Sequence, residues 1–282
     1  MAKPAGPTSH DVVDVARRVL GVRRVGHLGT LDPFAEGLLV LVVGRATRLA
    51  PFAARWRKRY EGVIRLGETT DTDDRTGRRT GSSPVWRELD VAAVTAALDR
   101  FCGTFSQRPP AHSAVKVAGE RAYRRARRGE AVAPAPREVR VDQLELVELA
   151  LPDVRFRATV SAGTYLRSIA RDLGESLGCG AHLAALRRTA VGPFDLTEAV
   201  TPNEVTVDRL RDPGVLVSEL PRHMLTPEER EAAAHGRPIH VERATLERGT
   251  DQPVALFAGE ELIAVAEVAD DMLKPRVVVA EP

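Results

Sequence analysis

The sequence has little cysteine and no motif for a metal or a nucleotide cofactor. Its two cysteines, Cys102 and Cys179, lie far apart and form no metal-spaced pair, which argues against a disulfide scaffold and a zinc site. A P-loop, a His-Glu-x-x-His motif and a glycine-rich dinucleotide fingerprint are all missing from the sequence. We therefore expect chemistry that uses ordinary side chains, with no cofactor and no metal.

Long apolar runs are missing as well. No run reaches the length of a membrane span, and the first residues contain no apolar region typical of a signal peptide. The expectation is a soluble cytoplasmic protein with no membrane partner. Its 282 residues, of which 43% are hydrophobic and 28% charged, suffice for one large domain or for a large domain and a small one.

The net charge of +2 is too small to prove a nucleic-acid partner, but the positive charge is unevenly distributed. Arginines crowd into residues 55–59, 121–128 and 187–188, whereas acidic residues concentrate after residue 225. Arginine binds phosphate through paired hydrogen bonds and stacks on bases. A single basic run is more often a solvated face, but three of them beside a candidate catalytic loop favour RNA as the partner.

The stretch from Val25 to Gly44 combines a tight loop with an apolar run. Pro33 fixes its own φ angle and disfavours helical geometry at Asp32, which precedes it. The apolar residues 38–43 predict a buried strand directly after the loop. Asp32 is thus expected on a loop against a sheet, with His27 nearby in sequence. By itself, Asp32 is equally well explained as a turn former, because Asp-Pro is common in turns.

Residues 26–33, which read Gly-His-Leu-Gly-Thr-Leu-Asp-Pro, resemble the catalytic motif of the TruB family of tRNA pseudouridine synthases. Ala35 and Gly37 extend the match. The resemblance implies that Asp32 is the essential catalytic residue, and we expect His27 to help hold the disturbed RNA loop.

Residues 3–9, Lys-Pro-Ala-Gly-Pro-Thr-Ser, resemble the first motif of the same family. This match implies that Lys3 lies near the active-site loop, and we count it among the substrate-binding residues. Family members usually carry a short apolar strand ahead of this lysine, where the present chain has only Met1 and Ala2. Either this edge strand is missing or the native start lies upstream.

The segment from Lys58 to Leu66 alternates as a strand and places Tyr60 and Ile64 on the same side. Tyr60 is equally well explained as a base-stacking platform beside basic residues or as a core residue with a satisfied hydroxyl. The resemblance implies an active-site tyrosine that stacks on the target base and is a candidate proton acceptor. Residues 67–74 resemble the acidic loop of the family, which implies that Asp74 lies near the RNA-facing pocket. The spacing does not fit a calcium-binding loop.

Residues 161–168 predict a turn followed by a helix, with Arg167 in the first helical turn. An exposed helical arginine is the ordinary interpretation. The match to the family's Gly-Thr-Tyr-x-Arg motif implies instead that Arg167 is the ion-pair partner of the catalytic aspartate and that Tyr165 is a wall of the pocket. Residues 181–189 resemble the last core motif, which implies that Leu186 lines the uracil site and that Arg188 approaches RNA.

The resemblance also implies a fold and a domain organisation. The expected fold is α+β, with a mixed, largely antiparallel central sheet flanked by helices over residues 1–220. A short PUA-like β-barrel that binds RNA is expected over residues 221–282. An insertion at about 107–132 is expected to close over the RNA, and it carries His112 where the family usually has tyrosine.

The implied function is that of a stand-alone tRNA pseudouridine synthase. It would isomerise uridine 55 in the T loop by base flipping and aspartate catalysis, as a monomer whose partner is the T arm of tRNA, with no guide RNA. An RNA-binding or RNA-folding module and a guide-RNA-dependent relative remain as alternatives. A glycoside hydrolase would need a second carboxylate at a defined distance, and the sequence places none there. Whether Asp32 attacks the sugar, attacks the base or removes a proton stays open.

Overall fold

The computed structural model describes residues 1–113, 115–117, 119–130, 132–241 and 252–281. The chain forms two compact units. Unit 1 comprises Met1–Val12, Gly29–Val40 and Arg55–Pro202, and unit 2 comprises Val13–Leu28, Leu41–Ala54 and Asn203–Pro282. The functional boundary expected near residue 220 stays a prediction.

The strands alternate with short connections along the chain. They are β1 (Ala2–Lys3), β2 (Val25–His27), β3 (Glu36–Leu38), β4 (Leu41–Val43), β5 (Lys58–Leu66), β6 (Glu68–Thr70), β7 (Arg79–Ser82), β8 (Gly103–Gln107), β9 (Lys116–Val117), β10 (Glu120–Arg121), β11 (Arg137–Ala150), β12 (Asp153–Val160), β13 (Ala181–Val191), β14 (Phe194–Asp195), β15 (Arg222–Met224), β16 (Ile239–His240), β17 (Val254–Ala258), β18 (Glu261–Ala269) and β19 (Met272–Val278).

The helices are short. They are α1 (Ser9–Leu20), α2 (Ala50–Ala53), α3 (Val91–Asp99), α4 (Ala122–Arg127), α5 (Leu166–Ser176) and α6 (Pro227–Ala234). Turns of 3-10 helix occupy Gly44–Leu49, Val85–Glu88, Leu196–Glu198, Pro202–Glu204, Val207–Arg209 and Pro213–Val217. None of the helices in the described ranges combines the length with the apolar composition that crossing a membrane requires.

Unit 1 is built on one large sheet. Its strands lie in the order β1, β3, β13, β5, β12, β11, β8, and β14 pairs with β13 outside this path. The pair of β3 and β13 is parallel, and the other pairs are antiparallel. The predicted α+β class with a mixed, largely antiparallel sheet is confirmed.

The sheet buries one side because its strands alternate. Tyr60, Ile64 and Leu66 on β5 are buried, whereas Arg59 and Arg65 are exposed. The buried side forms a single core with apolar residues of α3 and α5. Burial of each large apolar side chain contributes about 1.5–3 kcal/mol to stability. Together these side chains stabilise the sheet that supports the site.

The predicted single strand over residues 38–43 is wrong. The apolar run divides into β3, which belongs to the large sheet, and β4, which pairs with β2 in unit 2. The Leu39 amide donates a hydrogen bond to the Met1 carbonyl at 2.8 Å, which extends the pairing of β3 with β1 by one residue, and β4 begins two residues later. Both halves are apolar because both are buried, and periodicity alone cannot separate them. The two residues of β1 pair with Gly37 and Leu38.

The exposed side of the sheet carries a row of alternating charges on five neighbouring strands. In cross-strand order, the row is Glu36, Arg187, Glu61, Arg157 and Glu145. Arg157 lies 3.3 Å from Glu61, and Arg187 lies 3.9 Å from Glu36. Opposite charges on facing strand positions stabilise a sheet by about 0.2–1 kcal/mol per pair. Arginines in this row are therefore already paired with carboxylates.

Unit 2 contains a five-stranded sheet in the order β15, β17, β18, β19, β16, with α6 packed against it. The Thr226 side chain accepts from the Glu229 amide, and the Glu229 side chain accepts from the Thr226 amide, so α6 begins with a capping box. The curled sheet fits the predicted PUA-like barrel. Residues 242–251 and 282 of the predicted barrel lie outside the described part, as do residues 114, 118 and 131 of the predicted insertion.

Candidate active site

The loop that carries Asp32 is fixed by hydrogen bonds to buried side chains of the N-terminal segment. Lys3 is 1% exposed, and its Nζ donates to the carbonyl oxygens of Ala35 at 2.6 Å and of Pro33 at 3.2 Å. The Ser9 hydroxyl donates to the Leu31 carbonyl at 2.9 Å and accepts from the Leu31 amide at 2.8 Å. The backbone on both sides of Asp32 is therefore held in place.

Arg188 holds the same loop from the sheet. Its guanidinium is fully buried and donates to the carbonyl oxygens of Leu38 at 2.7 Å and Gly29 at 3.0 Å. Lys58 lies next to it, and a Cβ on residue 29 would be only 3.1 Å from the Lys58 Cε. Burial, together with the charge of Arg188, lowers the pKa of Lys58 to about 8. The same two causes lower the pKa of Lys3 to about 8, although the Asp32 carboxylate opposes them. The structure places Lys3 and Arg188 beneath the loop, and their contact with substrate stays a prediction.

Asp32 and Arg167 form a bidentate ion pair. Arg167 Nε donates to Asp32 Oδ2 at 2.9 Å, and Nη2 donates to Oδ1 at 3.1 Å. The two residues are 135 positions apart in the chain. The Arg167 side chain is 5% exposed, whereas that of Asp32 is 32% exposed. Parallel hydrogen bonds of this kind fix both the charge and the orientation of a carboxylate.

Arg167 also joins two other segments. Its Nη1 donates to the Thr72 carbonyl at 2.8 Å, and its Nη2 donates to the His112 carbonyl at 3.0 Å. Asp74, whose side chain is 6% exposed, lies 3.6 Å from Nη1. Asp74 Oδ1 accepts from the Thr76 amide at 2.9 Å, so the second carboxylate is buried and bonded within its own loop.

The protonation of Asp32 depends on these neighbours. Desolvation raises the pKa of Asp32 above its ordinary value of 3.8, the Arg167 guanidinium lowers it, and the Asp74 carboxylate raises it again. Arg167 thus partly offsets the cost of removing much of the Asp32 carboxylate from water. A single carboxylate held in one orientation with a reachable edge can act as a nucleophile, a base or a stabiliser of positive charge.

Tyr165, the predicted pocket wall, is the residue that precedes α5. Its main chain is bound by the side chain of Gln107, which is 1% exposed: Oε1 accepts from the Tyr165 amide at 2.9 Å, and Nε2 donates to the Tyr165 carbonyl at 3.1 Å. The Arg137 guanidinium lies 4.7 Å from the centre of the Tyr165 ring. We did not predict Gln107 from the sequence. The only sequence feature that could have indicated it is a glutamine side chain at the last position of a strand with alternating burial.

Tyr60 and Leu186 lie on the neighbouring strands β5 and β13, and they are 7% and 8% exposed. Both belong to the buried cluster that includes Leu31 and Phe34 of the Asp32 loop. Phe34 and Leu186 also line a cleft of about 380 Å³ whose walls are Ala5, Glu36, Glu61, Gly62, Val63, Arg75, Val147, Arg155, Phe156, Arg157, Ala185 and Arg187.

The structure thus brings Asp32, Asp74 and Arg167 together in unit 1. His27, which was expected at the site, lies on β2 in unit 2, and its role stays a prediction. Across the described residues, no group of three or more histidine, cysteine, aspartate or glutamate side chains is arranged to hold a metal ion.

Two solved structures share the fold of this chain. A chain of an H/ACA ribonucleoprotein bound to a substrate RNA containing 2'-deoxyuridine is 22% identical, with a TM-score of 0.72, over 99% of this chain and 83% of that chain. A chain of the archaeal box H/ACA Nop10–Cbf5 complex is 24% identical, with a TM-score of 0.70, over 99% and 85% of the two chains. The architecture is the pseudouridine synthase fold.

Sequence comparisons define the family. The N-terminal domain of TruB family pseudouridylate synthases matches residues 17–166, and the C-terminal domain of tRNA pseudouridylate synthase B matches residues 167–230. The tRNA pseudouridine synthase B of Thermobifida fusca is 44% identical over 99% of this chain and 96% of the relative. That of Solibacter usitatus is 50% identical over 77% and 75%. The chain belongs to the TruB family of pseudouridine synthases, which are RNA-modifying isomerases.

Proposed function

We propose that this protein converts uridine 55 in the T loop of tRNA to pseudouridine and that Asp32 is its catalytic residue. The observation that carries the proposal is the ion pair in which a buried arginine orients the one-third-exposed Asp32 carboxylate. Relatives that are 44% and 50% identical are named tRNA pseudouridine synthase B, which supports tRNA as the substrate.

The reaction is an isomerisation. The bond between C1′ of the ribose and N1 of the uracil breaks, and a bond between C1′ and C5 of the same base forms. The proton on C5 is then lost, and N1 gains one, so atoms and electrons balance without a co-reactant. Ionised Asp32 supplies the negative charge that these reaction steps need, either by forming a covalent bond or by stabilising an electron-poor sugar carbon.

The target base has to leave the folded T loop before Asp32 can reach it. Extruding a base costs roughly a few kcal/mol, which contacts in the pocket must offset. We assign stacking on the extruded uracil to Tyr60, with Tyr165 and Leu186 as walls of the pocket. Tyr60 is the candidate acceptor of the C5 proton, and His27 holds the disturbed loop of the RNA.

The proposed enzyme works alone, as a cytoplasmic monomer, on the T arm of tRNA and without a guide RNA. Residues 1–220 form its catalytic part, and residues 221–282 bind RNA. The segment 107–132 closes over the bound RNA. Arginines of this segment, such as Arg124, supply charge for phosphate contacts, which predicts binding that weakens steeply with salt.

The test is pseudouridine formation in a synthetic T-arm stem-loop, with wild type and Asp32→Asn compared and no guide RNA or cofactor added. Product from the wild type alone supports both the reaction and the role of Asp32. A wild type that binds the RNA without modifying it would move the function to an RNA-binding or RNA-folding module.

A stem-loop in which the target uridine is replaced by cytidine is the matched substrate control. Modification at other uridines of that control would contradict the assignment to position 55. Equal product from Asp32→Asn would remove Asp32 from the chemistry while leaving the reaction class in place.

A further inference from the structure

Gln107 makes a contact that the proposed function does not use. Its side-chain amide accepts a hydrogen bond from the Tyr165 amide and donates one to the Tyr165 carbonyl, so it pairs with both main-chain groups of that residue. The Gln107 side chain is 1% exposed and both hydrogen bonds are partly buried, so water has limited access to them. Gln107 is the last residue of β8 and the first residue of the segment expected to close over RNA.

Tyr165 lies at the start of α5, two residues before Arg167. Tyrosine is not a capping residue, and its side chain makes no capping hydrogen bond. The Tyr165 carbonyl also accepts from the Ile169 amide at 3.2 Å within the helix. The Gln107 amide therefore fixes the point from which the first helical turn, and with it Arg167, projects towards Asp32.

The next residues of the segment surround the same helical turn. The Arg108 carbonyl accepts from the Ser168 hydroxyl at 2.8 Å and from Arg171 Nη2 at 3.1 Å. The His112 carbonyl accepts from Nη2 of Arg167, the nitrogen that also donates to Asp32. Pro109 and Pro110, both buried, fix the φ angles between these contacts. A displacement at residue 107 is thus transmitted to the start of α5 and to the carbonyl that Arg167 binds.

We infer that Gln107 is a positioning residue for the reaction: its two hydrogen bonds to Tyr165 set the orientation of the Arg167–Asp32 pair and tie that orientation to residues 107–112. This inference rests on the proposed function, since it concerns how the same carboxylate is aimed. It predicts that loss of the Gln107 amide slows the chemical step more than it weakens RNA binding.

The experiment compares Gln107→Leu, Gln107→Glu and Ser168→Ala with wild type, in single-turnover pseudouridine formation on a T-arm stem-loop, with binding of the same RNA measured in parallel. Gln107→Leu keeps the size of the side chain and loses both bonds. Gln107→Glu keeps the acceptor for the Tyr165 amide and loses the donor. Ser168→Ala removes a partly buried hydrogen bond between the same two segments but none to Tyr165.

We expect Gln107→Leu to lower the single-turnover rate by roughly 10²-fold with nearly unchanged affinity for RNA, because small misplacement of a reacting group has effects of this size. Gln107→Glu should be slowed at least as much, because it buries a carboxylate oxygen against the Tyr165 carbonyl oxygen. Ser168→Ala should react at close to the wild-type rate. Thermal unfolding of all variants separates lost rate from lost folding.

Equal slowing by Ser168→Ala and Gln107→Leu would overturn the inference, because docking of the two segments alone would then explain the rate. If the wild type is active and Gln107→Leu reacts at the same rate, the inference is also overturned, but the proposed function stays intact. A wild type that binds RNA but forms no pseudouridine would overturn both together.

Discussion

Arg167→Met should destabilise unit 1 by about 3–5 kcal/mol, the usual cost of removing one partner of a buried ion pair. The Arg167 guanidinium donates two hydrogen bonds to Asp32 and one each to the carbonyl oxygens of Thr72 and His112. Methionine fills much of the volume but leaves these acceptors without their donor. It also leaves Asp74, whose side chain is 6% exposed, without the cation 3.6 Å away.

The assay is urea unfolding followed by tryptophan fluorescence. Both tryptophans of the chain, Trp56 and Trp86, belong to unit 1, so the signal reports the unit that carries the site. This choice matters because a chain with two units need not unfold in a single two-state step. The slope of the unfolding free energy against urea should stay constant while the midpoint falls.

A double-mutant cycle tests the physical reason. In the Arg167→Met background, Asp32→Asn should recover part of the lost stability, because it removes one of the two unpaired carboxylates. The coupling free energy between the two positions should be about 0.5–3 kcal/mol, as for contacting residues. Arg167→Lys is the charge-conserving control, and it should be intermediate because lysine cannot make the bidentate contact. An Arg167→Met protein within about 0.5 kcal/mol of wild type, a change typical of surface substitutions, would refute the reasoning.

Three further outcomes follow from the site. Burial raises the pKa of Asp32 above 3.8, and the proposed reaction uses the ionised form. The single-turnover rate should therefore fall as the pH drops through a value higher than the pKa of an exposed aspartate, and a rate independent of pH there would contradict this. The pKa of Lys58 is about 8 in the folded protein and 10.5 when the side chain is exposed. Between these pH values the unfolded chain therefore binds more protons than the folded one, so the free energy of unfolding should rise with pH across that window. The rise should be smaller in Lys58→Met. Gly37→Ala should destabilise by about 1–3 kcal/mol more than Gly6→Ala in urea unfolding. Both glycines have φ above +100°, but a Cβ at 37 would lie 2.3 Å from the Arg188 carbonyl oxygen, whereas a Cβ at 6 meets nothing within 4 Å.

Local patterns in the sequence predicted much of the fold. Strand β5 has the predicted bounds, and Arg167 lies in the first turn of α5 as expected, because alternation and helical spacing report local burial. The division of residues 38–43 between β3 and β4 escaped prediction for the same reason. Apolar character reports that a residue is buried and does not report which sheet buries it.

The site was less predictable where charge is concerned. Arg187 and Arg188 form one basic pair in the sequence, yet Arg187 is exposed and lies 3.9 Å from Glu36, whereas Arg188 is fully buried under the Asp32 loop. Lys3 likewise binds carbonyl oxygens of the loop. A count of positive residues cannot distinguish side chains that donate hydrogen bonds to backbone carbonyls from side chains that face solvent. The difference depends on contacts with residues that are distant in the sequence.

The clusters at residues 55–59 and 121–128 show the same limit. Arg57 pairs with Asp142 at 2.9 Å, and Arg128 pairs with Glu120 at 2.7 Å. These carboxylates are up to 85 positions away, so much of the positive charge counted in the sequence is neutralised within the protein. Salt dependence of RNA binding is therefore a better measure of phosphate contacts than the number of arginines.

The separation of Asp32 from Arg167 sets the order in which the site is assembled during synthesis. A ribosome adds roughly 5–20 residues per second, so the partner of Asp32 is made roughly 7–27 s after it, given the 135 positions between them. During this interval Lys3 can already bind the Ala35 carbonyl, because both residues have been synthesised. The N-terminal contacts of the loop can therefore form first, and the Asp32–Arg167 ion pair can form only after α5 has been translated.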